Sequence, residues 1–147
     1  NDEIRKAAVA KIKSNEHWET NLIRILESKD IGDIFNAYGF LEANTLEHPK
    51  EFIIPIKISI TYVTTVSNES IKNPDNFFLG STNIGALCQI LEAQFKSNAA
   101  DFRSNMINLQ QVLDIPPAKR SDKKYAQGFD EILQKSRLVV KNWLEAN

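Results

Sequence analysis

Apolar residues recur at three- and four-residue steps along most of this chain, and the longest such run covers residues 84–113. This spacing places apolar side chains on one face of an α-helix. The run predicts one long helix, bent near Ser97, and a second stripe over residues 125–144 predicts a final helix after the prolines at 116–117. We expect these two long helices to pack antiparallel. The pattern therefore favours an all-α fold.

The first 28 residues carry the pattern of two short amphipathic helices. Ile4, Ala8 and Ile12 recur at four-residue steps, and residues 14–15 then interrupt the pattern. A second apolar stripe follows over residues 18–26. A connection this short makes the two helices antiparallel neighbours, and the small alanines of the first helix allow a close approach. We expect a packed helical hairpin here.

A third helix is expected to begin at Asp30, to carry a buried apolar stripe over residues 31–41 and to end at Asn44. The next segment, residues 52–66, fits two patterns. Isoleucines alternate with other residues around Pro55, which favours a strand, yet a three-and-four stripe also follows Pro49. A single strand would leave its backbone groups unpaired. We therefore predict a helix that Pro55 either kinks or begins.

Residues 69–82 are predicted to form a loop, since they contain Asn, Ser, Pro, Asp and Gly. Phe77 and Phe78 lie within this loop, and Trp143 lies near the end of the chain. Large apolar groups at such places often contact a protein partner. The alternative is that these three side chains anchor the loop and the terminal helix to the core.

Composition excludes several classes of partner. The chain has 147 residues, 42% of them hydrophobic, which is enough for a buried core, and a formal net charge of -1. This balance offers no long-range attraction for nucleic acid or for an anionic membrane. The basic cluster at residues 119–124 is interpreted as a solvated loop. The chain contains no run of about 18 apolar residues, so the sequence predicts no membrane span.

Localisation depends on two features. A lone cysteine, Cys88, cannot form an internal disulfide and favours a reducing compartment such as the cytoplasm. The chain starts at Asn1 without an initiator methionine, so it would be exported if a signal peptide had been removed there. The other interpretation is that a longer chain precedes Asn1. The sequence therefore leaves the compartment open.

Residues 2–28 resemble a HEAT-type helical repeat, in the form where a run such as residues 4–12 (IRKAAVAKI) is followed closely by Trp18. The resemblance implies that the alanines and aliphatic residues pack the hairpin and that Arg5 is the basic residue common in such repeats. It also implies that stacked hairpins present a surface to protein partners. Residues 30–68 would form a second hairpin, divergent because it lacks the Arg-Lys-Ala-Ala pattern.

Few side chains are suited to catalysis or metal binding. His17 and His48 stand beside predicted helix starts, where histidine serves as a cap or loop residue, and Cys88 lies on an apolar stripe, which predicts a buried thiol. The hydroxyls of residues 61–70 either line a groove or face water along a helix. Carboxylate pairs occur at Asp30 and Asp33 and at Asp130 and Glu131. We predict no catalytic residue, no metal ligand and no cofactor site.

These observations predict one helical domain over residues 1–147, or the C-terminal part of a longer repeat protein. Residues 1–68 form HEAT-like hairpins stacked as a short α-solenoid, residues 69–82 a loop, and residues 83–147 a long antiparallel helix pair. The expected function is that of a non-enzymatic scaffold that binds a protein partner. Two alternatives are an immunity or inhibitor protein for one toxin or enzyme, and a helical domain that binds a small ligand. Partner identity and oligomeric state stay open.

Overall fold

The computed structural model describes residues 2–73 and 83–147, and within these two ranges every regular element is helical. The α-helices are α1 (Asp2–Lys13), α2 (Trp18–Leu26), α3 (Ile31–Ala43), α4 (Ile53–Lys72), α5 (Asn83–Gln94), α6 (Ala99–Leu113) and α7 (Lys123–Ala146), with short 3-10 turns at Pro49–Phe52 and Lys96–Asn98. The predicted all-α fold is confirmed. Within the same ranges, no helix is both long enough and apolar enough to cross a membrane.

The buried side chains form one continuous hydrophobic cluster, to which helices α2 to α7 all contribute. The widest helix contacts join α4 to α6 and α3 to α5, while α7 packs against both α5 and α6. Phe95 and Phe102 meet edge to face near the α5–α6 corner, with ring centroids 5.5 Å apart. Helices from the two halves of the chain therefore share one core.

Local sequence signals explain where several helices begin and end. The predicted start of α3 at Asp30 is confirmed, and Asp30 caps the helix by accepting a hydrogen bond from the backbone N–H of Asp33 at 3.0 Å. Asn44 ends α3 and donates a side-chain hydrogen bond to the carbonyl oxygen of Phe40 at 2.8 Å. Asp122 caps α7 in the same way as Asp30 caps α3. Each of these helix ends is stabilised by hydrogen bonds between residues within about one helical turn.

The prediction of a helix over residues 52–66 is confirmed by α4. Isoleucines four residues apart share a face, so Ile56 and Ile60 are buried whereas Ile54 and Ile58 are exposed. Pro55 lies in the first turn, where its missing N–H costs no helical hydrogen bond. The predicted loop start at residue 69 is wrong, because α4 continues to Lys72.

The prediction of one continuous helix over residues 84–113 is also wrong, although the bend predicted near Ser97 falls within the 3-10 turn at Lys96–Asn98. The backbone leaves helical geometry at Phe95, with φ at -128° and ψ at 22°, and a 3-10 turn separates α5 from α6. This corner lets α5 pack against α3 while α6 packs against α4. A straight helix of about 30 residues would be roughly 45 Å long and would not follow both partners around the core.

Helices α6 and α7 form the antiparallel pair that the sequence predicts. Arg103, near the start of α6, donates a hydrogen bond to the carbonyl oxygen of Leu144, near the end of α7. At the other end of α6, Leu113 accepts a hydrogen bond from Arg137 in the middle of α7. The pair therefore runs in opposite directions, although its first member is shorter than predicted.

Three long side chains close the C-terminal ends of other helices. Gln94, Arg120 and Arg137 each donate hydrogen bonds to carbonyl groups that have no partner within their own helix. The acceptors are Leu41 and Asn44 for Gln94, Ser70 and Asn73 for Arg120, and Leu113 and Ile115 for Arg137. Arg120, predicted to lie in a solvated loop, instead holds the end of α4.

Helix α1 does not pack as the predicted hairpin requires. Ile4 is 70% exposed and Ile12 is 44% exposed, and of the α1 side chains that the structure describes only Val9 is half-buried. Helix α2, in contrast, buries Trp18, Leu22 and Leu26 against the rest of the chain. The alanines of α1 therefore leave space beside α2 instead of sealing a close contact.

Candidate functional site

An apolar groove of about 630 Å³ runs between α1, α2 and α3. Its lining positions are 8, 11, 12 and 15, then 18, 21, 22 and 25, and then 33, 36, 37 and 40. Each set has the spacing i, i+3, i+4 and i+7, which is one face of a helix over two turns. The second and third sets lie on α2 and α3, whereas the first set has three residues on α1 and its fourth, Asn15, in the turn that follows.

The deepest part of the groove is apolar and firmly held. Trp18, Leu22 and Ala37 are almost fully buried, although they line the groove. The rings of Trp18 and Phe40 meet edge to face with centroids 5.9 Å apart. This contact joins the start of α2 to the later part of α3, so these two helices present a fixed aromatic surface.

The edge of the groove is polar and more exposed. Asn15, Asn21 and Asn36 are exposed, as are the two charged lining residues, Lys11 and Asp33. Outside the groove, the ammonium group of Lys13 lies 5.7 Å from the centroid of the Trp18 ring, within cation–π range. An apolar centre with a polar rim is the usual anatomy of a protein-binding surface.

The lining of the groove supplies little for covalent or acid–base chemistry. Its residues offer one ammonium group and one carboxylate, but no hydroxyl, thiol or imidazole. What the arrangement does offer is apolar area, which is stabilised by removal from water at about 25 cal/mol per Å². The groove is therefore suited to binding an apolar surface.

One group in the described ranges has the donor set of a metal site, namely Glu19, Glu47 and His48, whose ligand atoms lie within 4.8 Å of one another. The buried Glu19 carboxylate already accepts hydrogen bonds from the backbone N–H groups of Glu47 at 2.6 Å and His48 at 3.0 Å. Its other oxygen lies 3.2 Å from Nδ1 of His48. This hydrogen bond raises the pKa of His48. Glu19 thus fastens the segment before the first 3-10 turn to α2.

Two buried groups that titrate are held in their neutral forms. Cys88 is buried, as predicted, and burial raises the pKa of its thiol to about 12. A thiol with this pKa is a poor nucleophile near neutral pH. Burial also raises the pKa of Tyr38, whose hydroxyl lies 2.6 Å from the hydroxyl of Ser59. Both groups are part of the core.

The structure gives mixed outcomes for the predicted partner-binding residues. Trp143 is 5% exposed and belongs to the buried core cluster, which agrees with the alternative of a core anchor, and its predicted partner contact stays a prediction. Phe77 and Phe78 lie outside the described residues, and their predicted contact stays a prediction.

The remaining candidate residues have local partners. Neither His17 nor His48 caps a helix with its side chain, and His17 is exposed beside Glu16. Asp30 is a helix cap, whereas Asp33 reaches the groove. Asp130 and Glu131 are exposed on α7. The hydroxyls of Thr61, Thr64 and Thr65 donate to carbonyl groups four residues earlier, so they belong to the helix itself.

Reasoning from the sequence missed the groove because it assigned the apolar residues of α1 and α2 to a closed hairpin. The available signal was the repeated spacing of i, i+3, i+4 and i+7 on three consecutive segments, with polar asparagines inside each stripe. Such asparagines indicate a face that stays in contact with water. Comparisons with protein-family models, with curated proteins and with solved structures find no match to this chain.

Proposed function

We propose that this chain is a non-enzymatic protein-interaction module that binds a helical segment of another protein in the groove between α1, α2 and α3. The observation that carries the proposal is the matching spacing of the three lining stripes. In a helical bundle, each helix buries such a stripe against its neighbours. Three such stripes around an open groove leave a space that a fourth helix would fill.

The exposure of α1 supports the same role. A helix of 12 residues is marginal in water without tertiary contacts, and here Ile4 and Ile12 remain largely exposed. Burying an isoleucine side chain fully is worth about 1.5–3 kcal/mol. A helix bound in the groove would cover Ile12 and Ala8 and so would stabilise α1 at the same time.

The form of recognition is that of an amphipathic helix in an apolar groove, with anchors spaced at i, i+3, i+4 and i+7. The near-neutral net charge of the chain favours a protein partner over a nucleic acid. The resemblance of residues 2–28 to a HEAT-type repeat agrees with this role, since such hairpins present surfaces to protein partners.

Selection from a displayed library of helical peptides tests the proposal. We expect the enriched peptides, of about 16 residues or roughly four turns, to share one apolar stripe. In a methyl NMR titration they should shift the signals of Ile12 and Ile25, which line the groove. The signals of Ile54 and Ile107, which are exposed elsewhere, should stay unchanged.

A matched pair of variants locates the binding site on α1. Ala8→Trp fills the groove and should weaken peptide binding by about tenfold or more, equivalent to roughly 1.4 kcal/mol. Ala10→Trp places the same side chain on the same helix outside the groove and should leave the affinity unchanged. The proposal is wrong if the selected peptides bind Ala8→Trp as tightly as the unmodified chain, or if the library yields no binder.

A further inference from the structure

The groove has two charged lining residues, and they come from different helices. Lys11 belongs to α1 and Asp33 belongs to α3, while the other polar lining residues are the uncharged Asn15, Asn21 and Asn36. Among the residues that the structure describes, neither Lys11 nor Asp33 forms an ion pair. Both charges are therefore available to a bound molecule.

The helices that carry these residues have opposite charge. Helix α1 contains four basic and two acidic residues, and its last turn is basic through Lys11 and Lys13. Helix α3 contains two acidic residues and no basic one, and Asp33 lies in its first turn. Helix α2 contains one residue of each sign, Glu19 and Arg24. Within the groove itself, the α1 side is positive at Lys11 and the α3 side is negative at Asp33.

We infer that the partner helix carries acidic side chains along the edge of its apolar stripe that faces α1, and basic side chains along the edge that faces α3. This inference rests on the proposed function, because it describes the helix that the groove receives. Complementary charges at the edge of a groove select the partner and its direction. A second copy of α1 is a poor occupant, since it would bring its own net positive charge against Lys11.

Two designed peptides with the same leucine stripe serve as probes. The bipolar peptide has glutamate along one edge of the stripe and lysine along the other, and the neutral peptide has glutamine along both edges. We expect the chain to bind the bipolar peptide about fivefold more tightly in roughly 50 mM salt, and this advantage to shrink in roughly 0.5 M salt because ions screen exposed charges.

Charge reversal in the groove gives the decisive test. Lys11→Glu or Asp33→Lys should each remove the advantage of the bipolar peptide, because one of its edges then meets a like charge. The double variant K11E/D33K should restore the advantage, because the peptide can bind end for end and so exchange its two edges. The neutral peptide should bind all four forms equally. Lys135 is an exposed lysine of α7 outside the groove, so Lys135→Glu should leave the affinities for the bipolar and the neutral peptide unchanged.

Three results would overturn the inference. Equal binding of both peptides in the groove contradicts it while leaving the proposed function intact. Failure of the double variant to restore the advantage also contradicts it. Sedimentation analysis showing that the chain alone dimerises through the groove would identify a second copy as the occupant. If neither peptide shifts the methyl signals of Ile12 and Ile25, the result contradicts the proposed function itself.

Discussion

Tyr38 shows how the core accommodates a polar side chain. Its ring is fully buried, and its hydroxyl lies 2.6 Å from that of Ser59, which also donates to the carbonyl oxygen of Ile56 at 2.7 Å. Each hydroxyl therefore has an acceptor. Ser136 differs, because its buried hydroxyl has no hydrogen-bond partner within the described ranges. Leaving a buried polar group without a partner costs more free energy of folding than one hydrogen bond contributes.

This asymmetry predicts an order of stabilities. Ser59→Ala leaves the Tyr38 hydroxyl buried without its acceptor and should cost about 1–3 kcal/mol, whereas Tyr38→Phe removes that hydroxyl and should cost about 0.5–1.5 kcal/mol. Ser136→Ala, the control, should be neutral or stabilising. Urea denaturation of the three variants measures each change. A Ser59→Ala variant no less stable than Tyr38→Phe would show that the contact does not matter.

The contact between Glu19 and His48 predicts a pH dependence of stability. The hydrogen bond to Glu19 raises the pKa of His48 above its ordinary value of 6.5, so folding favours the protonated ring. This contribution is fully present below pH 6.5 and disappears as the pH rises through the raised pKa. His48→Ala should therefore lower the melting temperature more at about pH 5 than at about pH 9.

Glu19→Gln supplies the control for this prediction. In that background the carboxylate is absent, so the difference between the effects of His48→Ala at the two pH values should shrink to the smaller part that Glu47 and Glu51 contribute. Thermal unfolding of the four forms measures the difference. An effect of His48→Ala that is equal at both pH values in the unmodified chain would rule out a contribution from the contact.

At the scale of the helices, local signals and tertiary contacts explain different boundaries. Asp30 and Asp122 cap α3 and α7 through backbone N–H groups within one turn, and the predicted start of α3 at Asp30 is confirmed. The sequence predicts a bend near Ser97 but not the end of α5, because the apolar rhythm continues through Phe95 into α6. What interrupts the helix is the packing of α5 against α3 and of α6 against α4.

Helix α1 is predicted to open more easily than the other helices. Its isoleucines and alanines are exposed, so few contacts resist local unfolding. We expect its backbone amides to exchange with solvent about a hundredfold faster than those of α4, equivalent to roughly 2.8 kcal/mol. A peptide bound in the groove should slow this exchange. Hydrogen exchange with mass spectrometry measures both effects, and α1 amides as protected as those of α4 would contradict the prediction.

At the scale of the whole molecule, helices that are distant in the chain pack against each other. The widest contacts join α3 to α5 and α4 to α6, so the two halves of the described chain share one core. The side chains that close α3 and α4, Gln94 and Arg120, come from about 50 residues further along the chain. Such an arrangement favours a single cooperative unfolding transition.

The two tryptophans test this cooperativity, because Trp18 lies in α2 and Trp143 in α7, and both are 5% exposed. Trp143→Phe leaves Trp18 as the reporter, and Trp18→Phe leaves Trp143. In each variant we expect the fluorescence and far-ultraviolet circular dichroism transitions in urea to coincide. A fluorescence transition of Trp18 that clearly precedes the loss of helix would show that the N-terminal helices unfold as a separate unit.

The sequence by itself determined the helical class, the start of α3, the helical state of α4 and the burial of Cys88. Each of these depends on residues within a turn or two of helix, where spacing and side-chain chemistry act directly. The tertiary structure decided the corner at Phe95, the exposure of α1 and the charged groove at Lys11 and Asp33. These features depend on which distant helices compete for the same apolar surface, and no local pattern records that competition.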